Sequence, residues 1–214
     1  MSVTTSDRTP ICPHDIPENE TGAARIVYDN LRALKDHENQ FSSALSLFDY
    51  LLSLEDDQRK QICEDRSQSM SWPHIPARDG GMTIFHFAMA LEGARQMRGC
   101  RSLRGRIDAA EIRIAVKLFN RRFPDFRHIR HSIAHSAELA STIESLNRNA
   151  STSPINSKLL SSAGGVRVVI KNGIQDRTIF NTFLGRHVTY DLSESSLAHL
   201  KDARQRVYKS FPGV

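Results

Sequence analysis

The chain has 214 residues, 39% of them apolar and 25% charged, with a formal net charge of +5. That length suits a single domain, which buries about 70% of its unfolded surface and so needs no covalent or metal staple. Cys12, Cys63 and Cys100 show no Cys-x-x-Cys spacing, which argues against a disulfide framework or a cysteine zinc site and suits a reducing compartment. The mild basic excess favours polyanionic partners such as RNA. No stretch approaches ~20 continuous apolar residues, so nothing is expected to span a membrane. The polar, proline-bearing N-terminus lacks the order of a signal peptide, and the expected location is the cytoplasm.

Residues 1–18 read as a flexible arm, with Pro10, Pro13 and Pro17 blocking regular helix. Residues 19–214 read as one helical domain. From Thr21 to Leu54, Ile26, Leu31, Leu34, Phe41, Leu45, Phe48 and Leu52 recur at helical steps, as one long helix or two with a break near His37–Gln40. The polar run from Asp56 to Met70 is expected to form a short surface helix. The stretch from Trp72 to Gly81 carries two prolines and a Gly-Gly pair, which predicts a turn before a buried helix over 82–97. Gly99 and Gly105 bracket a basic loop, and Asp108 is placed to cap a helix that stops at Phe123-Pro124. Asp125 then restarts a helix expected to run to about Arg148.

Residues 149–165 are rich in Ser, Asn and Gly and read as a loop. Beyond them the period turns strand-like over 166–173, 177–185 and 186–192, with turns expected near Asn172-Gly173 and Leu184-Gly185. Ser193 is placed to cap a last helix. The predicted fold is mainly α: an antiparallel helical bundle with a small β-hairpin or meander, at about 166–190, inserted before the last helix.

The densest chemical signal lies between Phe126 and Glu138. His128, His131 and His135 fall at i, i+3 and i+7, along one face of a helix, and Arg130 lies about 100° from His131. Such a stripe is also what a polar face packed against carboxylates would show. Yet Ile133, Ala134 and Ala137 interleave with it, which suggests a packed helix whose polar groups need partners.

Arg130–His135, reading RHSIAH, resembles the Arg-x4–6-His motif of the HEPN superfamily of antiparallel helical bundles. The resemblance implies metal-independent RNA cleavage with no cofactor, a homodimer with facing motif helices, and in toxin or defence members a protein antitoxin or inhibitor. On that reading His135 does acid/base work and Arg130 stabilises the phosphate. His131 orients the phosphate or acts as second acid. Arg127, His128, Arg101 and Arg104 are candidate substrate contacts, and Arg78, Asp79, His86 and Glu138 candidate supporting residues. The β-rich segment departs from a minimal HEPN domain.

Two other readings stand beside it. One is a non-catalytic helical dimer that binds a nucleotide, RNA or a protein. The other is a metal site, since His131 and His135 have the spacing of paired zinc ligands, His128 extends the stripe, Glu138 lies one turn onward, and His86 of the preceding buried helix is a candidate third ligand. His-Ser-Ile-Ala-His lacks the glutamate of a zinc protease. Arg78-Asp79 also reads as a helix cap or ion pair, His86 as a core histidine, and the arginines at 95, 98, 101, 104 and 106 as a solvated cationic turn.

Overall fold

The computed structural model describes residues 7–54, 58, 71–156, 161–162 and 164–211. Apart from Gln58, the surface helix expected at 56–70 lies outside the described residues, as do Cys63 and part of the 149–165 loop. In chain order the helices are α1 (Glu18–Ser53), α2 (His74–Ala94), a 3-10 turn (Met97–Gly99), α3 (Arg101–Arg104), α4 (Ala109–Arg122), α5 (Phe126–Ala134) and α6 (Ile143–Asn149). Strands β1 (Ile155–Asn156), β2 (Ser161–Ser162), β3 (Gly173–Gln175), β4 (Thr178–Phe183) and β5 (Arg186–Asp191) precede α7 (Glu194–Lys209). The fold is mainly helical, with a three-stranded antiparallel sheet before the last helix. The chain divides into two compact units, one of Met1–Gln40, His86–Pro124 and Ser195–Val214, the other of Phe41–Phe85 and Asp125–Glu194.

Helix α1 is continuous through His37–Gln40. Its buried stripe is Val27, Leu31, Leu34, Glu38, Phe41, Leu45 and Phe48, at three- and four-residue steps. Ile26 and Leu52, expected on that stripe, are exposed instead. Each sits one residue, about 100° of helix, from the buried Val27 and Leu51. The acid within the stripe is answered in the first unit. Arg204 of α7, 1% exposed, donates from Nε to Glu38 at 2.5 Å and from Nη2 to Asp7 at 2.7 Å. The Tyr208 ring lies 4.9 Å beneath its guanidinium, and the Tyr208 hydroxyl donates to the Leu31 carbonyl. Asp15 takes two hydrogen bonds from Arg106, so the described part of the N-terminal arm is tied at two points.

The basic segment 99–105 is not a plain loop. Leu103 is buried and anchors α3, and Glu20 accepts from the Ser102 amide at 2.9 Å and hydroxyl at 2.5 Å. Asp108 caps α4 as its sequence suggested, accepting from the amides of Ala110 and Glu111.

In the second unit the expected turn at 72–81 is corrected: residues from His74 onward are already α2. Pro76 is tolerated because amides in a first turn have no helical acceptor to lose. The glycines serve close approach rather than a turn. A Cβ at Gly80 would lie 2.7 Å from Leu192 Cδ1, and one at Gly81 would lie 2.3 Å from Ile133 Cδ1 and 2.8 Å from the Tyr190 ring. Tyr190 closes this packing by donating its hydroxyl to the Ala77 carbonyl. Gly81→Ala is therefore expected to lower stability by about 1–3 kcal/mol through overpacking. Denaturant unfolding checks this, and an unchanged midpoint would contradict the packing described.

Strands β3, β4 and β5 pair in sequence, with Gln175 opposite Thr178 and Phe183 opposite Arg186. Leu184 and Gly185, both at positive φ (49° and 74°), form the two-residue turn expected there. The buried Asn149 holds that turn, accepting from the Leu184 amide at 3.2 Å while its amide group donates to the carbonyls of Leu139 and Ser145. Residues 166–172, expected as strand, make only a bridge between Val168 and Ser151. The amide and carbonyl of Ile170 bond Thr182 in place of a regular ladder.

The motif helix is also shorter than expected. It ends at Ala134, with His135 as its C-cap, and a new helix starts only at Ile143. Thr142 and Ser145 form a capping box there, which gives α6 a start of its own. Among the described residues, no helix is long and apolar enough to cross a membrane.

Candidate functional site

Helix α5 buries Phe126, Ile129, Ser132 and Ile133, which leaves its other face to Arg127, His128, Arg130 and His131. Asp125 stands at the N-cap position, and its carboxylate faces Nδ1 of His128 at 3.3 Å. Arg127 is exposed, with its guanidinium 5.2 Å over the Phe126 ring. Arg130 is half-buried, 5.6 Å over the Phe85 ring, and its Nη1 lies 3.3 Å from Nδ1 of His131.

The break after Ala134 does not separate the histidines. The rings of His131 and His135 stack at 6.0 Å with an interplanar angle of 20°. Phe183, from the end of β4, lies parallel to His131 at 5.9 Å and 4°, and near His128 at 6.1 Å. Ring pairs at these separations are in the attractive range for stacked aromatics. Glu138, in the turn after α5, sets Oε1 3.2 Å from Nδ1 of His135.

These partners fix the proton positions. A guanidinium only donates, so Nδ1 of a neutral His131 accepts from Arg130 and its proton sits on Nε2. A carboxylate only accepts, so Nδ1 of His135 carries a proton toward Glu138, and in the neutral ring Nε2 is the atom that holds the lone pair. The cluster thus presents one imidazole as donor, its neighbour as base, and a permanent cation beside them. Loss of hydration, and then the charge of Arg130, hold His131 below the usual 6.5, so it is neutral at pH 7.

Burial also lowers His37, His74 and His187. Each of these four rings is harder to protonate folded than unfolded. The unfolded chain therefore binds more protons just below pH 6.5, and stability falls as pH drops from about 7 to 5. The lowered carboxylates, Asp7 and Asp15 among them, lose their contribution only below their ordinary range near 4. A thermal midpoint lower at pH 5.5 than at 7.5 is expected. An unchanged one would contradict this assignment.

Arg130, His131, His135, His128, Arg127 and Glu138 are brought together on one unit. Arg78, exposed, and Asp79, half-buried, lie on α2 within that unit. Arg101 and Arg104 are exposed on α3 of the other. His86 also belongs to the other unit. It is exposed and stacked on His37 at 5.6 Å, not the core histidine its apolar neighbours suggested. Among the described residues, no group of three or more His, Cys, Asp or Glu is placed to hold a metal ion.

Sequence reasoning missed Phe183, Phe85 and Asp125. Four successive residues of β4, Ile179 to Thr182, are buried, so no alternation marked the face on which Phe183 would meet the histidines. The chain matches no family model, no curated protein and no solved structure.

Proposed function

We propose that this cluster is the centre of a HEPN-like, metal-independent endoribonuclease. The observation that carries the reading is the joint placement of Arg130, His131, His135 and Glu138, linked by two side-chain contacts and a ring stack. His135 Nε2 takes the proton from a ribose 2′-OH, and Glu138 stabilises the imidazolium that results. The 2′ oxygen attacks the adjacent phosphorus, the bond to the 5′ oxygen breaks, and that oxygen takes a proton from solvent water. The products are a 2′,3′-cyclic phosphate and a 5′-hydroxyl, with no redox change. Arg130 faces the charge that builds on the phosphorane, and Nε2–H of His131 donates to a phosphate oxygen. Arg127 and His128 flank the scissile phosphate as substrate contacts.

The HEPN resemblance extends the proposal to a homodimer with motif helices facing each other, and to a toxin or defence role held in check by a protein inhibitor. A second reading, binding without reaction, draws on Arg127 and Arg130 lying over Phe126 and Phe85 as fixed cations. Substrate chemistry separates the two. RNA methylated on every 2′ oxygen is expected to bind and stay intact, while unmodified RNA yields cyclic-phosphate ends. Intact unmodified RNA at saturating protein would leave only the binding reading.

A further inference from the structure

We propose that the outer face of α4 is a nucleic-acid-binding ridge, on which Arg113, Lys117 and Arg121 contact successive phosphates of one strand. Helix α4 is rigidly placed, since Ile112, Ala115 and Phe119 are buried and Asp108 caps its first turn. Its opposite face is cationic. Arg113, Lys117 and Arg121 are all exposed, and four-residue steps space them about 6 Å apart along the axis, of the order of the distance between neighbouring phosphates. The row drifts only about 40° around the helix at each step, so one strand can follow it.

Among the described residues nothing neutralises these three cations: none of them has an ion pair or a hydrogen-bonded side-chain partner. The acids of the same segment are engaged elsewhere: Asp108 in the cap, and Glu111 with Arg206 at 3.4 Å. The contrast with α1 is informative. There the exposed Arg25 and Arg32 each have an acid four residues on, with Asp29 at 3.8 Å and Asp36 at 4.0 Å. The exposed face of α1 carries matched charges; that of α4 does not.

The composition of the face selects the partner. Only Ile114 among its large apolar residues is exposed, and the apolar stripe of α4 is spent on the protein core, so a membrane surface would find a single side chain to bury. The ridge carries no aromatic side chain on its exposed positions, so it tracks backbone charge and does not read bases. This inference concerns binding alone and needs no reaction at the α5 cluster.

The test uses the full chain and single-stranded RNA methylated on every 2′ oxygen, so that cleavage plays no part. Affinity is measured between about 50 and 200 mM salt for the wild type, for Arg113→Gln/Lys117→Gln/Arg121→Gln, and for the control Arg25→Gln/Arg32→Gln. Three lost phosphate contacts are expected to make the slope of log affinity against log salt shallower by about 2, with the control near the wild type. A triple variant with the wild-type slope, or a control that loses as much per charge removed, would overturn the ridge. So would a wild-type chain that binds phosphatidylserine vesicles but no RNA.

Discussion

His135→Ala is expected to lower RNA cleavage by about 10²–10⁴-fold, the usual worth of a positioned general base. The fold should survive, because His135 is only half-buried at the end of α5 and its side-chain partner, Glu138, is exposed. Arg130→Ala is expected to cost about 10²–10³-fold, as loss of a preorganised charge on the transition state does. Arg130→Lys should recover little. A lysine ammonium cannot both lie flat over Phe85 and direct a second donor at His131. Single-turnover rates with saturating protein separate these losses from weakened binding. A variant without His135 that cleaves at the wild-type rate would remove the base from the mechanism.

The largest stability effect is expected in the other unit. Glu38→Ala leaves Arg204 buried with only Asp7 as counter-charge, and losing one member of a buried ion pair costs about 3–5 kcal/mol. At about 2–4 °C per kcal/mol for a chain of this size, the thermal midpoint should fall by roughly 6–20 °C. The double variant Glu38→Met/Arg204→Met should lose markedly less, because methionines fill similar volume and the charges left behind, on Asp7 and Lys35, reach solvent. Equal losses in the single and double variants would show that packing, not uncompensated charge, dominates there.

These two sites differ in how far the sequence disclosed them. The α1 stripe was legible because helical periodicity survives in any register. Glu38 was not, because an acid between Leu34 and Phe41 looks like an interruption until Arg204, 166 residues away, arrives to pair with it. The same limit explains Gly80 and Gly81. A Gly-Gly pair after two prolines reads as a turn on local grounds, whereas Leu192, Ile133 and Tyr190 need those positions bare. Tertiary approach overrode local propensity.

At the candidate site, the histidine spacing gave the right neighbours for an incomplete reason. The i, i+4 relation brings His131 and His135 into a stack even though α5 ends between them. Asp125 and Glu138, the carboxylates beside His128 and His135, are local in sequence; only Glu138 was singled out. Phe183 and Phe85 come from distant segments, and no spacing within the motif can announce them. The cationic row of α4 is harder to read in the sequence than the denser arginines of 95–106. There Arg106 is committed to Asp15, while among the described residues the sparser row on α4 has no ion-pair partner.

The most direct test of the central claim is cleavage of mixed RNA in EDTA by the wild-type chain, with Arg130→Ala and His135→Ala alongside. Cyclic-phosphate products from the wild type, lost in both variants, are the predicted result. Wild-type protein that leaves the RNA intact, or variants that cut it as fast, would contradict the account.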